Sequence, residues 1–236
     1  MISEMFAHGF IQRAFIGGVL VSLCAALLGV SLVLKRYSMI GDGLSHVSFG
    51  ALSIAIALGF APIKFSIPIV IIAAFFLLRL AENGKMKSDA AIAMVSASSL
   101  AIGVIVTSLT TGLSTDVCSY MFGSILAMSK DDVIFSVVLS VVVLIMFGFC
   151  YHRIFAVTFD ESFSKATGVK VGMYNTLISI FTAVTVVLGI KMMGAMLISS
   201  LIIFPALTSM RVFKSFLSVT ICSAILAVIN YTFPYQ

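Results

Sequence analysis

Residues 10–34 read FIQRAFIGGVLVSLCAALLGVSLVL and contain one charged side chain, Arg13. An α-helix needs about 20 consecutive apolar residues to cross the hydrocarbon core of a bilayer, so this segment is long enough to span it. It is too long for the apolar core of a cleavable signal peptide, and no Ala-x-Ala-like cleavage site follows it. We therefore expect a transmembrane helix that remains in the mature chain.

The composition of the whole chain is that of a membrane protein. Of its 236 residues, 61% are hydrophobic and 10% are charged, whereas soluble domains are about 25% charged. Strand-type alternation is absent, which argues against an outer-membrane barrel. We predict an all-α integral membrane protein with about eight transmembrane helices, at residues 10–34, 43–59, 63–81, 89–110, 132–152, 172–190, 194–210 and 212–230.

The segments between these helices are short. Residues 117–128 are apolar but too few to span, which predicts a short re-entrant or interfacial element. No polar connection is long enough to bury a core of its own, so we expect residues 1–236 to form a single transmembrane domain.

The basic residues predict an orientation. They are spread over loops instead of forming the cluster that nucleic-acid binding requires. Ten of the fourteen follow the first, third, fifth and seventh spans: Lys35, Arg36, Arg79, Lys85, Lys87, Arg153, Lys165, Lys170, Arg211 and Lys214. The positive-inside rule places these loops in the cytoplasm. Because the number of spans is even, both termini then lie outside.

A glycine-flanked polar pair opens the second apolar segment, in the sequence GDGLSH at residues 41–46. Asp42 and His46 are four residues apart and therefore share one face of a helix. An ionisable side chain in a membrane segment is costly and favours a substrate or ion path, and a carboxylate with an imidazole can share a divalent metal. The alternative is structural: Asp42 caps the helix, and His46 hydrogen-bonds a neighbouring helix.

The polar segment 157–169, VTFDESFSKATGV, predicts a short helix of its own. Thr158 followed three residues later by Glu161 fits a capping box. Asp160 and Glu161 place negative charge at the positive end of the helix, and Gly168 suits the left-handed position just after it. We therefore expect a helix over about 158–168.

One face of this short helix is predicted to be apolar. Phe159, Phe163 and Ala166 recur at helical spacing, and so short a helix is marginally stable without a partner. Two interpretations remain open at this point. The face lies on the bilayer surface or neighbouring loops, or it docks in a groove of another protein.

Three stretches of the chain occur together in a characteristic order and spacing. They are GVSLVLKR (29–36) leading into GDGLSH (41–46); YMFGSILA (120–127); and FDESF (159–163) through GV (168–169) with MGAML (193–197) through FPALT (204–208). In combination they resemble the permease subunits of ATP-binding-cassette (ABC) transporters that import zinc, manganese or iron, most of all the high-affinity zinc uptake permeases. The resemblance extends over roughly residues 8–230.

The resemblance implies an eight-helix subunit that dimerises into the pore of an importer in the bacterial cytoplasmic (inner) membrane. It implies a cytoplasmic ATPase dimer that binds a coupling helix, which matches Thr158, Phe159, Asp160, Glu161, Phe163 and Gly168. An extracytoplasmic metal-binding protein delivers the cargo. The family's Asp and His at the start of the second helix match Asp42 and His46, and they are implied to contact the metal in transit.

The position of this pair conflicts with the positive-inside boundary. Lys35 and Arg36 mark the cytoplasmic edge, yet Asp42 follows only six residues after Arg36. Either residues 37–41 re-enter the membrane as extended chain, or the pair lies nearer the cytoplasm than mid-membrane. Gly41 and Gly43 favour an unwound helix start.

The energy source must lie on another chain. No G-x-x-x-x-G-K-[ST] phosphate loop is present, so ATP is expected on a partner subunit and this chain is not an enzyme. A secondary transporter driven by an ion gradient is the alternative, but no internal repeat is evident. With histidines at 8, 46 and 152 only, there is no His-Glu-x-x-His metalloprotease motif.

The metal is underdetermined by the two ligands. Imidazole suits zinc and carboxylate suits manganese, so one of each does not choose between them. Two ligands from each copy of a dimer would give the four that tetrahedral zinc takes. We favour zinc over manganese or iron, as transported cargo with no permanently bound cofactor.

Overall fold

The computed structural model describes residues 9–37, 39–82, 88–110, 123 and 130–232. Over these residues the chain is helical, without β-strands, and its hydrogen bonds close within each helix as a membrane segment requires. The helices are α1 Gly9–Leu34, α2 Ile40–Ala57, α3 Pro62–Glu82, α4 Ser88–Leu109, α5 Lys130–Phe159, α6 Glu161–Ala166, α7 Val171–Met193, α8 Ala195–Val212 and α9 Phe216–Thr232.

The predicted fold class is confirmed. Eight long helices coincide with the eight predicted spans, and α6 is the predicted short helix. Six of them are long and apolar enough to cross a membrane, while α3 and α9 carry shorter apolar stretches, Pro62–Leu77 and Phe216–Thr232. The predicted re-entrant segment 117–128 lies outside the described residues except for Gly123, whose backbone packs closely against Met193 and Gly194.

Helix α7 lies at the centre of the bundle. It packs against α1, α2, α3, α5 and α8. Every residue from Phe181 to Ala195 is buried. Small and β-branched side chains such as Ala183, Thr185 and Gly189 let neighbouring backbones approach from all sides, which explains why one helix contacts so many others.

The helices meet most closely at glycines. A Cβ atom placed on Gly29 of α1 would lie 2.0 Å from the backbone oxygen of Ile202 in α8. One placed on Gly50 of α2 would lie 2.7 Å from the backbone oxygen of Ser99 in α4. Both distances are below any van der Waals contact, so the α1–α8 and α2–α4 pairings require glycine at these positions.

Three of the four loops predicted to face the cytoplasm lie at one end of the bundle. Lys35, just after α1, pairs with Glu161, which follows α5. Leu34, Phe159 and Met210, near the ends of α1, α5 and α8, line one shared cavity. The fourth loop, residues 83–87, lies outside the described residues.

Candidate functional site

Asp42 and His46 are the two exceptions to burial along the first part of α2. From Ile40 to Ser53 every other residue is buried, whereas these two side chains are 43% and 26% exposed. His46 Nε2 lies 3.7 Å from Asp42 Oδ2. The predicted shared face is therefore present, and we call these two residues the α2 pair.

The glycines on either side of Asp42 allow α2 to pack closely against two other helices. A Cβ on Gly41 would lie 3.0 Å from the Ile202 side chain of α8, and one on Gly43 would lie 2.6 Å from the Ile92 side chain of α4. Asp42 thus emerges between α8 and α4. The predicted unwound entry at these glycines is wrong, because both are helical and serve close packing on opposite sides.

The capping role considered for Asp42 is also wrong. The residue at the N-cap of α2 is Met39, which makes no side-chain capping hydrogen bond. Asp42 lies inside the first turn, where a negative charge still interacts favourably with the positive end of the helix. Helix capping therefore does not explain why an aspartate occupies position 42.

The start of α2 lies deep beside its neighbours. Gly41 faces Ile202, near the middle of α8, and the connection before it packs beside Ile178 and Ser179, about two turns into α7. Extended re-entrant chain is not the reason, because Tyr37 N bonds back to the last turn of α1. Lys35 and Tyr37 of the α1–α2 connection thus lie beside α7, whereas Arg36 and Met39 are exposed.

The geometry of the α2 pair suits a shared metal ion. Two donors at 2.0–2.2 Å from one tetrahedral zinc are about 3.4 Å apart, so 3.7 Å calls for only a small side-chain rotation. No group of three or more His, Cys, Asp or Glu side chains able to hold a metal occurs among the described residues.

A pair of serines fixes α2 to α8 beside this site. The hydroxyls of Ser45 and Ser199 are 3.2 Å apart, so that one of them donates to the other between α2 and α8. The hydroxyl that accepts this bond donates its own hydrogen within its helix, from Ser199 to the Ala195 oxygen or from Ser45 to the Asp42 oxygen. This contact holds α2 and α8 together close to Asp42.

The short helix α6 differs from its prediction at the N-terminus. Its N-cap is Asp160, whose Oδ1 accepts the Phe163 amide at 2.9 Å. Thr158 as N-cap is wrong: α5 continues to Phe159, and Thr158 is buried in its last turn. Glu161 consequently stands at the first helical position and is free to reach another element.

The C-terminus of α6 agrees with its prediction. Gly168 has φ +81°, in the left-handed region. Its amide donates to the backbone oxygen of Lys165, and the Val169 amide donates to the backbone oxygen of Ser164. These two bonds form the Schellman motif that ends many helices.

The two phenylalanines do not share one helix face as predicted. Phe159 is the last residue of α5, and its ring contacts those of Phe155 and Phe216 at centroid distances of 4.9 and 6.0 Å. Phe163, on α6, is 64% exposed. The exposed aromatic of the short helix is thus Phe163, while Phe159, itself 59% exposed, also packs within the chain.

A partly buried polar cluster missed by the sequence analysis joins α6 to the rest of the bundle. Lys35 Nζ lies 2.8 Å from Glu161 Oε1 and also bonds to Asn175 Oδ1 in α7. Asn175 Nδ2 donates to Glu161 Oε1 at 3.1 Å. We call these three residues the Lys35 cluster. The available signal was Asn175, an amide near the start of an apolar helix.

The cluster keeps Glu161 ionised. Burial by itself would raise the pKa of this carboxyl, but hydrogen bonds from Lys35 and Asn175 outweigh it and hold the pKa below its usual value. The charges of Lys35 and Lys165 act in the same direction. The Lys35 side chain, 6% exposed, is thereby compensated.

Two similar proteins are named as membrane components of metal uptake systems. The high-affinity zinc uptake system membrane protein ZnuB of Buchnera aphidicola is 30% identical over 219 residues, which are 92% of this chain and 84% of that protein. The manganese import system permease protein ScaB of Streptococcus gordonii is 28% identical over 217 residues, which are 92% of this chain and 78% of that protein.

A solved structure and a family match complete the comparison. PsaBC from Streptococcus pneumoniae in complex with Fab superposes with a TM-score of 0.83 at 27% identity, covering 99% of this chain and 88% of that one. Residues 7–234 match the ABC 3 transport family. The resemblance to metal permeases of ABC transporters is thereby confirmed, and the chain belongs to the ABC 3 transport family.

Proposed function

We propose that this chain is the pore-forming permease subunit of an ATP-driven importer of a divalent transition metal, with zinc favoured over manganese or iron. Two copies form the pore in the bacterial cytoplasmic membrane, each as one transmembrane domain. The α2 pair contacts the metal in transit. A separate ATPase dimer docks on α6, and an extracytoplasmic metal-binding protein delivers the cargo.

The exposure pattern of α2 carries this proposal. Among fourteen consecutive residues, Ile40–Ser53, the two left partly exposed are the two ionisable ones. Facing lipid, a carboxylate at this depth would be strongly disfavoured. An aqueous path or a second polypeptide must therefore cover the gap between α4 and α8 from which they emerge.

A second copy of the chain would cover this gap and enclose a path between the two copies. Large apolar side chains are exposed along α4 and α8, among them Met94, Ile102, Met196 and Phe204. Such faces are stable in a bilayer or against another membrane helix. Two α2 pairs facing each other across a dimer would offer four ligands, the number that zinc takes in tetrahedral sites.

The choice of zinc rests on ligand chemistry and on the family resemblance. Imidazole is the softer of the two ligands and favours zinc over manganese. ZnuB and ScaB, whose names assign them to zinc and to manganese, are similarly close to this chain. A direct competition between metals is therefore the deciding measurement.

The test is metal uptake in cells that lack their own zinc and manganese importers and express this chain with its ATPase and binding protein. We expect accumulation of radioactive zinc, with excess unlabelled zinc competing better than equal manganese or iron. Stronger competition by manganese would overturn the zinc assignment. Uptake that persists without the ATPase but stops when the proton gradient is dissipated would favour the secondary transporter.

Docking of the ATPase on α6 predicts a selective loss in Phe163→Ala. Removing a large aromatic anchor from an interface costs on the order of 2 kcal/mol or more, which weakens association more than about tenfold. The amount of ATPase that copurifies in detergent measures this. The matched control is Phe149→Ala, because Phe149 is 85% exposed on α5 and lies twelve residues, or about three helical turns, before α6. Full retention of the ATPase by Phe163→Ala contradicts the docking.

A further inference from the structure

The Lys35 cluster connects the proposed ATPase-docking helix to the connection that positions the α2 pair. Lys35 and Glu161 are 126 residues apart in the chain, and their side chains are joined at 2.8 Å. Asn175 bonds to both, from the first turns of α7. The ends of α1, α6 and α7 are thereby held together by a single polar contact group.

We propose that the Lys35 cluster transmits movement of α6 to the start of α2, so that ATPase action on α6 changes the position of the α2 pair. The proposal rests on the function proposed above and extends it by naming the linkage. Lys35, Glu161 and Asn175 are positioning residues, since they act on the metal through other groups and do not touch it.

The first requirement is that the cluster cannot be broken without cost. The Lys35 side chain is almost wholly buried, at 6% exposure, whereas the Glu161 side chain is 42% exposed. Separating the two would leave the buried Lys35 ammonium without its counter-charge, which is costly. The buried Lys35 therefore follows Glu161 as α6 moves.

The second requirement is a stiff path from Lys35 to α2, and backbone hydrogen bonds provide it. The amides of Arg36 and Tyr37 bond back to the last turn of α1. The Ile40 amide bonds to the Tyr37 oxygen, and the Gly43 amide bonds to the Met39 oxygen. Arg36 adopts φ +61°, a strained conformation held by this turn. A displacement of Lys35 is consequently passed on to the first turn of α2.

The third requirement is that α6 moves as a unit. It has six residues, it is closed at the front by Asp160 and at the back by Gly168, and its buried Ser164 faces the bundle. It packs against the end of α5 and the start of α7. Because Glu161 is its first residue, the ion pair lies at the junction where α6 leaves α5.

A purely structural clamp is the competing role, and a pair of changes separates the two. Replacing both members of a buried ion pair by apolar residues often restores stability, whereas replacing one does not. Lys35→Met with Glu161→Leu leaves no charge unpaired, although Asn175 loses two hydrogen-bond partners. A linkage through the ion pair remains severed in this variant. Metal taken up per ATP hydrolysed is the readout, because a merely structural defect lowers both rates together.

The experiment uses the complete complex in proteoliposomes, with zinc and manganese each as the sole metal. We expect the double variant to assemble and hydrolyse ATP, with metal uptake per ATP lowered at least about fivefold, the lower range of coupling between sites. A normal ratio in the double variant overturns the proposal. Glu161→Asp keeps the charge and shortens the reach, so it avoids a folding defect; a normal ratio there overturns the proposal as well.

Two further variants make the result specific. Lys170→Gln removes an exposed charge just after α6 and is expected to keep the parent ratio; a ratio lowered as far as in the double variant overturns the proposal. His46→Ala is measured alongside. If it transports normally, the proposed function fails; if it is inactive while the cluster variants keep the parent ratio, only the linkage fails.

Discussion

Metal uptake is expected to fall by about 10- to 100-fold or more in Asp42→Asn and in His46→Ala. Losing even a residue that supports a metal ligand typically costs this much in affinity or activity, and these two side chains are the proposed ligands. Both side chains are partly exposed, so the permease should still fold and assemble. Zinc and manganese uptake at equal membrane levels of each variant is the measurement.

Matched controls exist for both changes. His152 and Asp131 are the same residue types, exposed on α5, and His152→Ala and Asp131→Asn are expected to transport as the parent does. Normal uptake by both α2-pair variants, at normal membrane levels, would remove the pair from the translocation path. A loss in His152→Ala as well would show that the assay reports histidine removal in general.

The largest effect on folding is expected in Gly29→Leu. A Cβ at this position lies 2.0 Å from the backbone oxygen of Ile202 and 2.9 Å from its carbonyl carbon. Side-chain rotation cannot relieve a clash with backbone, so α1 and α8 must separate along their contact. Overpacking costs about 1–3 kcal/mol where side chains can adjust, and we expect at least the upper end here. That is a large share of a typical total stability of about 5–15 kcal/mol.

The measurement is the yield of monodisperse protein and its melting temperature in detergent. Gly148→Leu is the matched control, because a Cβ at Gly148 of α5 has no neighbouring atom within 4 Å. We expect the control to match the parent, while Gly29→Leu gives little folded protein. Equal melting temperatures for the two variants would mean that α1 and α8 do not approach as closely as the structure places them.

The helices were predictable because membrane crossing is a local property. A run such as residues 10–34 must satisfy its own backbone hydrogen bonds in lipid, so its length and composition suffice to predict a helix. The shared face of Asp42 and His46 follows from helical spacing alone, and the left-handed Gly168 follows from local chain sterics. Each of these predictions depends on residues only a few positions apart.

The capping prediction failed for a reason that lies outside the local sequence. Thr158 and Glu161 have the spacing of a capping box, but α5 extends to Phe159. Its last aromatic packs on Phe216, which belongs to another helix. Glu161 is then recruited by Lys35. Packing and a buried charge, both long-range, outweighed a capping interaction of about 1 kcal/mol.

The sequence by itself determined the membrane class, the eight spans, the short helix and the spacing of the α2 pair, because each depends on neighbouring residues. Only the tertiary structure decided that Lys35 and Tyr37 lie beside Ile178 and Ser179, that Gly29 packs on Ile202, and that Lys35 meets Glu161. Those features join residues far apart in the chain. Their partners are selected by shape and charge in the folded bundle, which no local pattern encodes.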